Sequence, residues 1–528
     1  MTKTGLVHRR VVGWAQLGHF VDHRADYSCG ASAISPPLEP SDSLMSLASR
    51  SRFSGREKRC EKAARAFPRR VRVEAVVRSR GSGKRSQERK PARWRPLLRG
   101  DTAKEALAAV EAIAEDVLKF PPSFSRARRK TSRRSVADAS LVQGLAGLAV
   151  FFGYLSRAGL GDRYESAARR YLDAAGDAVG AVTMGPSLYG GFTGIAWAFA
   201  HLERQLFGSS DDRSTDAVDE TLRELVHRRG WRGDYDLIVG LVGLGVYALE
   251  TLPAPAAVAC LEGVVDRLEE TSHRGPDGVS WHTAPELLSP WQLKLCPNGY
   301  YNLGLAHGCP GVIALLGAAW AAGIRRHATR RLLDGGVTWL LNHERRERTG
   351  TRFSAWISPG LPSEDCRSAW CYGDPGVAVA LFWAARGVGQ PAWEKEALRI
   401  ARSAAARRPE KSGVQDAGLC HGAAGLALIF NRMYQATGDA ALRRAARYWI
   451  EKTLAMRRRG RGIGGFQSLQ MRDDGTKYWV DDPGLLTGAA GIGLALLAAA
   501  TPIEPEWDRT LLVSMRSVGE RGHGESQR

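Results

Sequence analysis

A Gly-x-x-Gly sequence followed by a long apolar run occurs seven times after residue 143. The opening glycines of successive copies are 47, 49, 68, 65, 49 and 66 residues apart. Recurrence of one unit at such intervals is the sequence signature of a repeat architecture. The seven copies read GLAGLAVFFGYL from residue 144, GFTGIAWAFAHL from 191, GLVGLGVYALE from 240, GCPGVIALLGAAW from 308, GDPGVAVALFWAA from 373, GAAGLALIFNRMY from 422 and GAAGIGLALLAA from 488.

Each copy predicts a tight turn that leads into a buried helix. Glycine permits positive φ angles and a close approach of two backbones, and a helix that is apolar on nearly all sides must be surrounded by other elements. Between the copies lie amphipathic segments such as 165–180 and 442–459, whose charged residues suit an outer helix. We therefore expect an all-α fold, an α/α toroid of seven inner and seven outer helices, with short β-hairpins inserted at 278–304 and 464–482.

The positive charge of the chain is concentrated in its first hundred residues. The net charge is +20, but residues 1–100 contain 23 Lys and Arg against 8 Asp and Glu, so the other 428 residues carry only +5. Segment 78–96 is rich in Arg, Ser, Gly and Pro without apolar periodicity, which favours disorder. We expect a basic extension over 1–95, either disordered or the product of a start codon placed too far upstream, then a toroid domain over 96–510 and a C-terminal tail over 511–528. We expect no nucleic-acid binding by the toroid; the alternative for 1–95 is an arm that binds nucleic acid or an acidic surface.

Eight cysteines without a secretion signal or dense spacing indicate a reducing compartment, and we expect a cytoplasmic protein. Residues 485–503 carry no charge over 19 residues, near the length of a membrane-spanning helix. Because this segment is the seventh copy of the repeat, it predicts a buried helix and no membrane span.

Three neighbouring copies carry metal-binding side chains directly before the turn. His307 precedes the turn of copy four, Cys371 that of copy five, and Cys420 with His421 that of copy six. In a toroid all seven turns lie at one end, so these side chains are expected to converge on one central depression. Two thiolates and an imidazole suit zinc, which prefers four tetrahedral ligands and keeps one position open in catalytic sites.

Four other cysteines follow residue 100. An isolated cysteine is most often a small buried hydrophobe, and we expect this of Cys260, Cys296 and Cys366. Cys309 lies one residue inside the turn of copy four, where it either packs or provides a fourth metal ligand.

With these residues the chain resembles the lanthionine synthetase C family, the lanthipeptide cyclases. The resemblance extends over about 100–505 and depends on NLGLAHGCPG, AWCYGDPG, LCHGAAG and GLLTGAAG in that order. It implies a sevenfold α/α toroid with one zinc ion, held by Cys371, Cys420 and His421, and it implies that His307 is an acid or base. Cys309 departs from the family pattern, in which small or aliphatic residues are usual.

The resemblance also implies roles for residues around the metal. Arg367 and Tyr372 match the polar residues that flank the first ligand, and Trp370 matches the aromatic residue beside it. Asp236 falls where the family has an acidic residue near the zinc, with Asp234 as the alternative two residues away.

The implied activity adds a peptide cysteine to dehydroalanine or dehydrobutyrine and forms a lanthionine or methyllanthionine thioether. A thiol with a pKa of about 8.5 is mostly protonated at neutral pH, and zinc with an open position favours the nucleophilic thiolate. Attack at the β-carbon leaves an enolate, which His307 is expected to protonate. Arg367 or Tyr372 would stabilise the enolate or orient His307, and Asp236 would hold an imidazole in one tautomer. The family implies a dehydrated precursor peptide as substrate, with a dehydratase and an exporter as partners.

Two other functions are compatible with the same residues. A non-cyclising relative with these ligands would add or bind glutathione or another thiol. A different α/α-toroid enzyme, such as a terpene cyclase or a glycosidase, would require a DxDD sequence or paired carboxylates at the mouths of the inner helices, and the sequence has neither.

Overall fold

The structure, a computed structural model, describes residues 94–119, 138–204, 208, 215–345, 350–472 and 476–515. All of these residues belong to one unit. The predicted basic extension therefore lies outside the described residues, except for Trp94 and Arg95 at its end. Trp94 is buried, and its Nε1 donates a hydrogen bond to the carbonyl oxygen of Ala498 at 2.8 Å.

Helices dominate the described residues and alternate between an apolar and an amphipathic type. The apolar helices follow the Gly-x-x-Gly turns, and the amphipathic helices lie between them. In chain order the helices are α1 (Gly100–Leu118), α2 (Leu145–Arg157), α3 (Arg163–Ala181), α4 (Phe192–Leu202), α5 (Asp216–His227), α6 (Leu241–Thr251), α7 (Pro255–Glu270), α8 (Pro290–Leu295), α9 (Cys309–Ala321), α10 (Arg326–Asn342), α11 (Asp374–Val388), α12 (Pro391–Ala406), α13 (Ala423–Thr437), α14 (Ala440–Ala455) and α15 (Ala489–Ala500).

The apolar helices form a closed inner ring. Helices α2, α4, α6, α9, α11, α13 and α15 pack side by side in this order, and α15 packs against α2. In the outer layer α3, α5, α7, α10, α12 and α14 each cover the inner helix that precedes them, while α1 covers α15. The predicted α/α toroid of seven inner and seven outer helices is confirmed, and its first outer helix closes it against its last inner helix.

The apolar seventh copy is a short buried helix. Helix α15 has 12 residues, and residues 489–499 are all buried. Among the helices that the structure describes, none combines the length and the apolar character that crossing a membrane requires.

Small β-structures are inserted between the helices. Strands β1 (Ser272–Gly275), β2 (Gly278–Thr283), β3 (Tyr300–Asn302) and β4 (Trp356–Ile357) form one antiparallel sheet in this order, and β5 (Ser468–Met471) pairs with β6 (Lys477–Val480) in a hairpin. The hairpin lies within the predicted 464–482. Segment 278–304 is a β-insertion but not a simple hairpin, because β2 pairs with the preceding β1 and α8 separates β2 from β3.

Close backbone approach explains the two glycines of each copy. The first glycine is the N-cap residue of the inner helix in all seven copies. A Cβ atom on the second glycine would collide with the carbonyl oxygen six residues earlier, as for Gly376 with Trp370 and Gly425 with Leu419. Of the seven opening glycines, all of which the structure describes, Gly373 alone has a left-handed φ, of 86°. Positive φ therefore accounts for one turn only.

Backbone hydrogen bonds join the seven turns into a closed circle. We call the residues two positions before each opening glycine the turn ring; they are Val142, Tyr189, Ile238, Ala306, Cys371, Cys420 and Leu486. The amide N–H of each turn-ring residue donates a hydrogen bond to the carbonyl oxygen of the turn-ring residue in the next copy, and the N···O distances are 2.9–3.4 Å. In copy three the donor is Leu237, the residue before Ile238. The circle closes from Leu486 to Val142 at 3.1 Å. All seven turns therefore lie at one end of the toroid.

The chain after α15 returns to the interior of the toroid. The 3-10 helix Glu506–Leu511 carries Asp508, which pairs with Arg432 of α13 at 2.6 Å, and Arg509, which pairs with Glu250 of α6 at 3.3 Å. Because α6 and α13 lie on opposite sides of the inner ring, this segment lies between them. The boundaries predicted at 95/96 and 510/511 stay predictions.

Candidate metal centre and catalytic pair

Three side chains from two neighbouring turns form a cluster. Sγ of Cys371, Sγ of Cys420 and a ring nitrogen of His421 lie within 4.8 Å of one another. The two cysteines are adjacent in the turn ring, where the amide of Cys371 donates to the carbonyl oxygen of Cys420 at 3.3 Å. The backbone circle thus brings together two thiols from different repeats. Among the described residues no second group of three potential metal ligands is this close.

The donor set of this cluster fits zinc. Tetrahedral ligands with Zn–S of about 2.3 Å and Zn–N of about 2.0–2.1 Å are roughly 3.5–3.8 Å apart, which the observed spacing can reach with small side-chain movements. Cys371 is completely buried, and burial raises the pKa of its thiol well above its usual value. A buried thiolate requires a compensating cation, and a divalent metal ion provides one.

Asp416 lies beside the histidine of the cluster and contributes a negative charge there. Its Oδ2 lies 3.7 Å from Nε2 of His421, so Nδ1 is the ring nitrogen that points away from Asp416. The amide of Gly418 donates to Oδ1 at 3.3 Å and the amide of Leu469 donates to Oδ2 at 3.2 Å, which fixes the carboxylate. Burial lowers the pKa of His421 but the charge of Asp416 raises it, and the net change is upward. A carboxylate behind a metal-binding histidine is a common arrangement.

The repeat itself contains a signal for Asp416. The position six residues before the opening glycine is acidic or amide-bearing in five of the seven copies. These residues are Asp138, Asp234, Asn302, Asp416 and Asp482. This position supports the turn, because the side chains of Asn302, Asp416 and Asp482 each accept a hydrogen bond from the amide two residues later.

His307 and Asp236 form a buried pair in the neighbouring copies. Nδ1 of His307 is 2.6 Å from Oδ2 of Asp236, and Oδ1 of Asp236 accepts hydrogen bonds from the amides of Val239 at 2.8 Å and Gly240 at 3.0 Å. Because the carboxylate accepts from Nδ1–H, a neutral His307 carries its proton on Nδ1 and its lone pair on Nε2. Of the two acidic candidates, Asp236 is the one that pairs with His307, while the backbone carbonyl of Asp234 accepts a hydrogen bond from the amide of Leu241 at the start of α6.

Tyr372 lies between His307 and the inserted sheet. Its hydroxyl accepts hydrogen bonds from Nδ2 of Asn302 at 2.9 Å and Nε1 of Trp356 at 3.2 Å, two residues that pair across β3 and β4. Its ring centroid is 6.2 Å from that of His307. Gly304 leaves room for this ring, because a Cβ atom there would collide with it. Burial raises the pKa of Tyr372 well above its usual value, so the side chain is a neutral phenol.

The other predicted site residues divide between the cluster and the core. Arg367 is close enough to His421 for its charge to lower the pKa of that imidazole. Trp370 is buried and donates from Nε1 to the carbonyl oxygen of Leu511 at 2.8 Å, so it points to the interior segment. Cys309 is buried outside the cluster, and burial raises its pKa to about 12.

The three cysteines expected to pack, Cys260, Cys296 and Cys366, are buried and also lie outside the cluster.

The chain matches a known protein family over most of its length. The sequence profile of the family described as Lanthionine synthetase C-like protein matches residues 135–512. The Nisin biosynthesis protein NisC of Lactococcus lactis subsp. lactis is 24% identical over 323 residues, which are 57% of this chain and 75% of that protein. Among solved structures, Nisin cyclase matches with a TM-score of 0.60 at 20% identity and covers 77% of this chain and 96% of its own. An α-1,6-mannanase from Salegentibacter sp. HEL1_6 matches with a TM-score of 0.40 at 12% identity, over 76% of this chain and all of its own.

Proposed function

Because the chain belongs to the lanthionine synthetase C-like family, we propose that it is a zinc-dependent lanthipeptide cyclase. Its substrate is a dehydrated precursor peptide, and its product contains lanthionine or methyllanthionine. The names of two similar proteins, one in nisin biosynthesis and one a nisin cyclase, support an enzyme of this type. We propose a dehydratase and an exporter as partners and a cytoplasmic location.

One observation carries this proposal. The Cys371–Cys420–His421 cluster and the His307–Asp236 pair belong to adjacent copies in the closed circle of turns, joined by the hydrogen bond from the amide of Ala306 to the carbonyl of Cys371 at 3.3 Å. A metal-ligand set and an acid/base pair are the two components that thiol addition requires.

The reaction balances without an oxidant or a leaving group. The substrate thiol loses its proton, its sulfur bonds to the β-carbon of the dehydro residue, and the electron pair of the carbon–carbon double bond passes to the α-carbon and the carbonyl oxygen. A proton then adds to the α-carbon. Zinc bound by the cluster would act as a Lewis acid that favours the substrate thiolate at neutral pH.

The residues of the catalytic pair would move the protons. Nε2 of His307 carries the lone pair in the tautomer that Asp236 favours, so it can accept the thiol proton and return one to the α-carbon. Asp236 would stabilise the imidazolium that exists between these two steps. Tyr372, whose hydroxyl already accepts two hydrogen bonds, is suited to holding the His307 ring in place. Arg367 would stabilise the enolate oxygen by its charge.

Substitution of Cys371 tests the metal and the activity separately. Purified Cys371→Ala should contain far less than one equivalent of zinc by elemental analysis and should not cyclise a dehydrated peptide. Cyclisation is measured as loss of alkylatable thiols without a change in peptide mass. Cys309→Ala is the matched control, because this buried cysteine lies outside the cluster; it should keep both zinc and activity.

Two results would contradict the proposal. If Cys371→Ala keeps a full equivalent of zinc, the assigned ligands are wrong. If the wild-type protein holds zinc but consumes peptide thiols only when glutathione is added, and the peptide mass rises accordingly, the protein adds small thiols and is not a cyclase.

A further inference from the structure

A cleft lies on the outer face of the toroid between α12 and α14, and none of its lining residues belongs to the metal-ligand cluster. It has a volume of about 460 Å³. Its floor is apolar and its rim is basic. The floor residues are Ala405, Ala441, Ala445, Tyr448 and Trp449, and the rim arginines are Arg402, Arg407, Arg408 and Arg444.

The four rim arginines are only partly neutralised by the protein. Arg402 pairs with Asp439 at 2.7 Å. Arg407 donates to the carbonyl oxygen of Cys366 at 2.6 Å and lies 3.9 Å from the carboxylate of Asp365. Within the ranges that the structure describes, neither Arg408 nor Arg444 has a carboxylate within 4.0 Å, and both side chains belong to exposed residues. Arginines that share a cleft repel one another unless an anion lies between them.

We propose that this cleft binds an acidic peptide segment that also carries large apolar side chains. Guanidinium groups bind carboxylates in a bidentate geometry, which suits the Asp or Glu side chains of a peptide. The alanine, tyrosine and tryptophan floor suits an apolar side chain between those carboxylates and gives no contact to an inorganic anion. The proposal concerns binding alone and is tested without turnover, so it is independent of the cyclase activity.

Residues of the cleft and of the loop after it form hydrogen bonds with the segment that leads to Cys371. Arg407 contacts Cys366, and the amide of Ser368 donates to the carbonyl oxygen of Ser412 at 2.7 Å, in the loop that follows the cleft. A peptide held here therefore lies beside the chain that enters the turn of copy five.

The test measures binding of a fluorescein-labelled helical peptide that is rich in glutamate and has leucines one turn apart. Fluorescence anisotropy with the full chain should show binding that weakens as salt is raised. The double variant Arg408→Glu/Arg444→Glu should weaken binding by about tenfold or more, because it reverses the sign of the unpaired rim charges. A peptide with serine in place of leucine should also bind less tightly, a comparison that needs no protein variant.

Arg443→Glu is the matched control. Arg443 is exposed on α14, the helix that also carries Arg444, but it contacts the ring of Tyr434 and does not line the cleft. This variant changes the net charge and should stay within about twofold of the wild type. Thermal unfolding of both variants checks that they are folded.

Three outcomes would overturn the proposal. Equal losses in Arg443→Glu and in a single Arg444→Glu variant would mean that only net charge matters. Equal affinities for the leucine and serine peptides would remove the role of the apolar floor. If a single-stranded DNA oligonucleotide binds as tightly as the peptide and loses affinity in the same double variant, the cleft binds polyanions generally.

Discussion

Replacement of Asp236 by Asn tests the proposed role of the catalytic pair. Oδ1 of an asparagine can still accept from the amides of Val239 and Gly240, so the start of α6 should be preserved. Its amide N–H group, however, would face Nδ1 of His307 in place of a carboxylate oxygen now at 2.6 Å. The ring proton would then move to Nε2, and the lone pair would be on the wrong nitrogen.

The expected loss follows from the removed interaction. A buried hydrogen bond to a charged group contributes about 1.5–3 kcal/mol, and about 1.4 kcal/mol corresponds to a factor of ten in rate. Loss of imidazolium stabilisation alone therefore predicts a tenfold to about 150-fold decrease in the cyclisation rate, and the inverted tautomer adds to it. Zinc content and the thermal unfolding midpoint should be close to those of the wild type.

Single-turnover cyclisation of a dehydrated peptide, followed by thiol alkylation and mass spectrometry, measures this rate. Asp234→Asn is the comparison, because the structure uses the backbone carbonyl of Asp234 at the turn and pairs His307 with Asp236. A smaller loss is expected there. Wild-type rates in Asp236→Asn, together with a large loss in His307→Ala, would refute the reasoning, since His307 would then act without its carboxylate.

Two further predictions concern stability. Burial alone would raise the pKa of Glu250, but His201 and Arg509 lower it to about 2, from 4.5. Each unit of pKa shift corresponds to about 1.36 kcal/mol, so the ionised carboxylate stabilises the folded state by about 3 kcal/mol above about pH 4.5. This stabilisation is lost as the pH falls through about 2. Thermal unfolding between pH 5 and pH 2 should show less pH dependence in Glu250→Gln; an unchanged dependence would contradict the assignment. Gly304→Ala, whose Cβ atom would collide with the carbonyl oxygen of Cys371 and with the Tyr372 ring, should destabilise the protein by about 1–3 kcal/mol in denaturant unfolding. Gly180→Ala on α3, where a Cβ atom meets nothing, should not, and equal effects would show that the close approach is unimportant.

The repeat made the architecture and the cluster predictable. Seven turns of the same kind occupy equivalent positions around a ring, so residues at the same offset from the opening glycine become neighbours when their copies are neighbours. This is why Cys371 and Cys420, both two residues before a glycine, lie in contact. The offset does not choose between His307 and His421, which both stand one residue before a glycine, and the resemblance to the family made that choice.

Contacts that depend on loop paths were not predictable in the same way. Asp236 is four residues before its glycine and His307 is one residue before its own, so no common offset relates them. Their 2.6 Å contact depends on the backbone path through the turns of copies three and four. The interior position of Glu506–Leu511 has no periodic signal either, because a 3-10 helix of six residues is too short to show one.

The unequal spacing of the repeats coincides with contacts around the candidate site. The three long steps, of 68, 65 and 66 residues, are those that contain β1–β3, β4 and the β5–β6 hairpin. Two of these insertions provide Asn302 and Trp356, which hold Tyr372, and the third provides the amide of Leu469, which fixes Asp416. The backbone circle brings the turns together without these insertions, but its main-chain hydrogen bonds do not by themselves fix the orientation of the cluster side chains. Support for the side chains must come from outside the circle, and the chain is longest where that support is required.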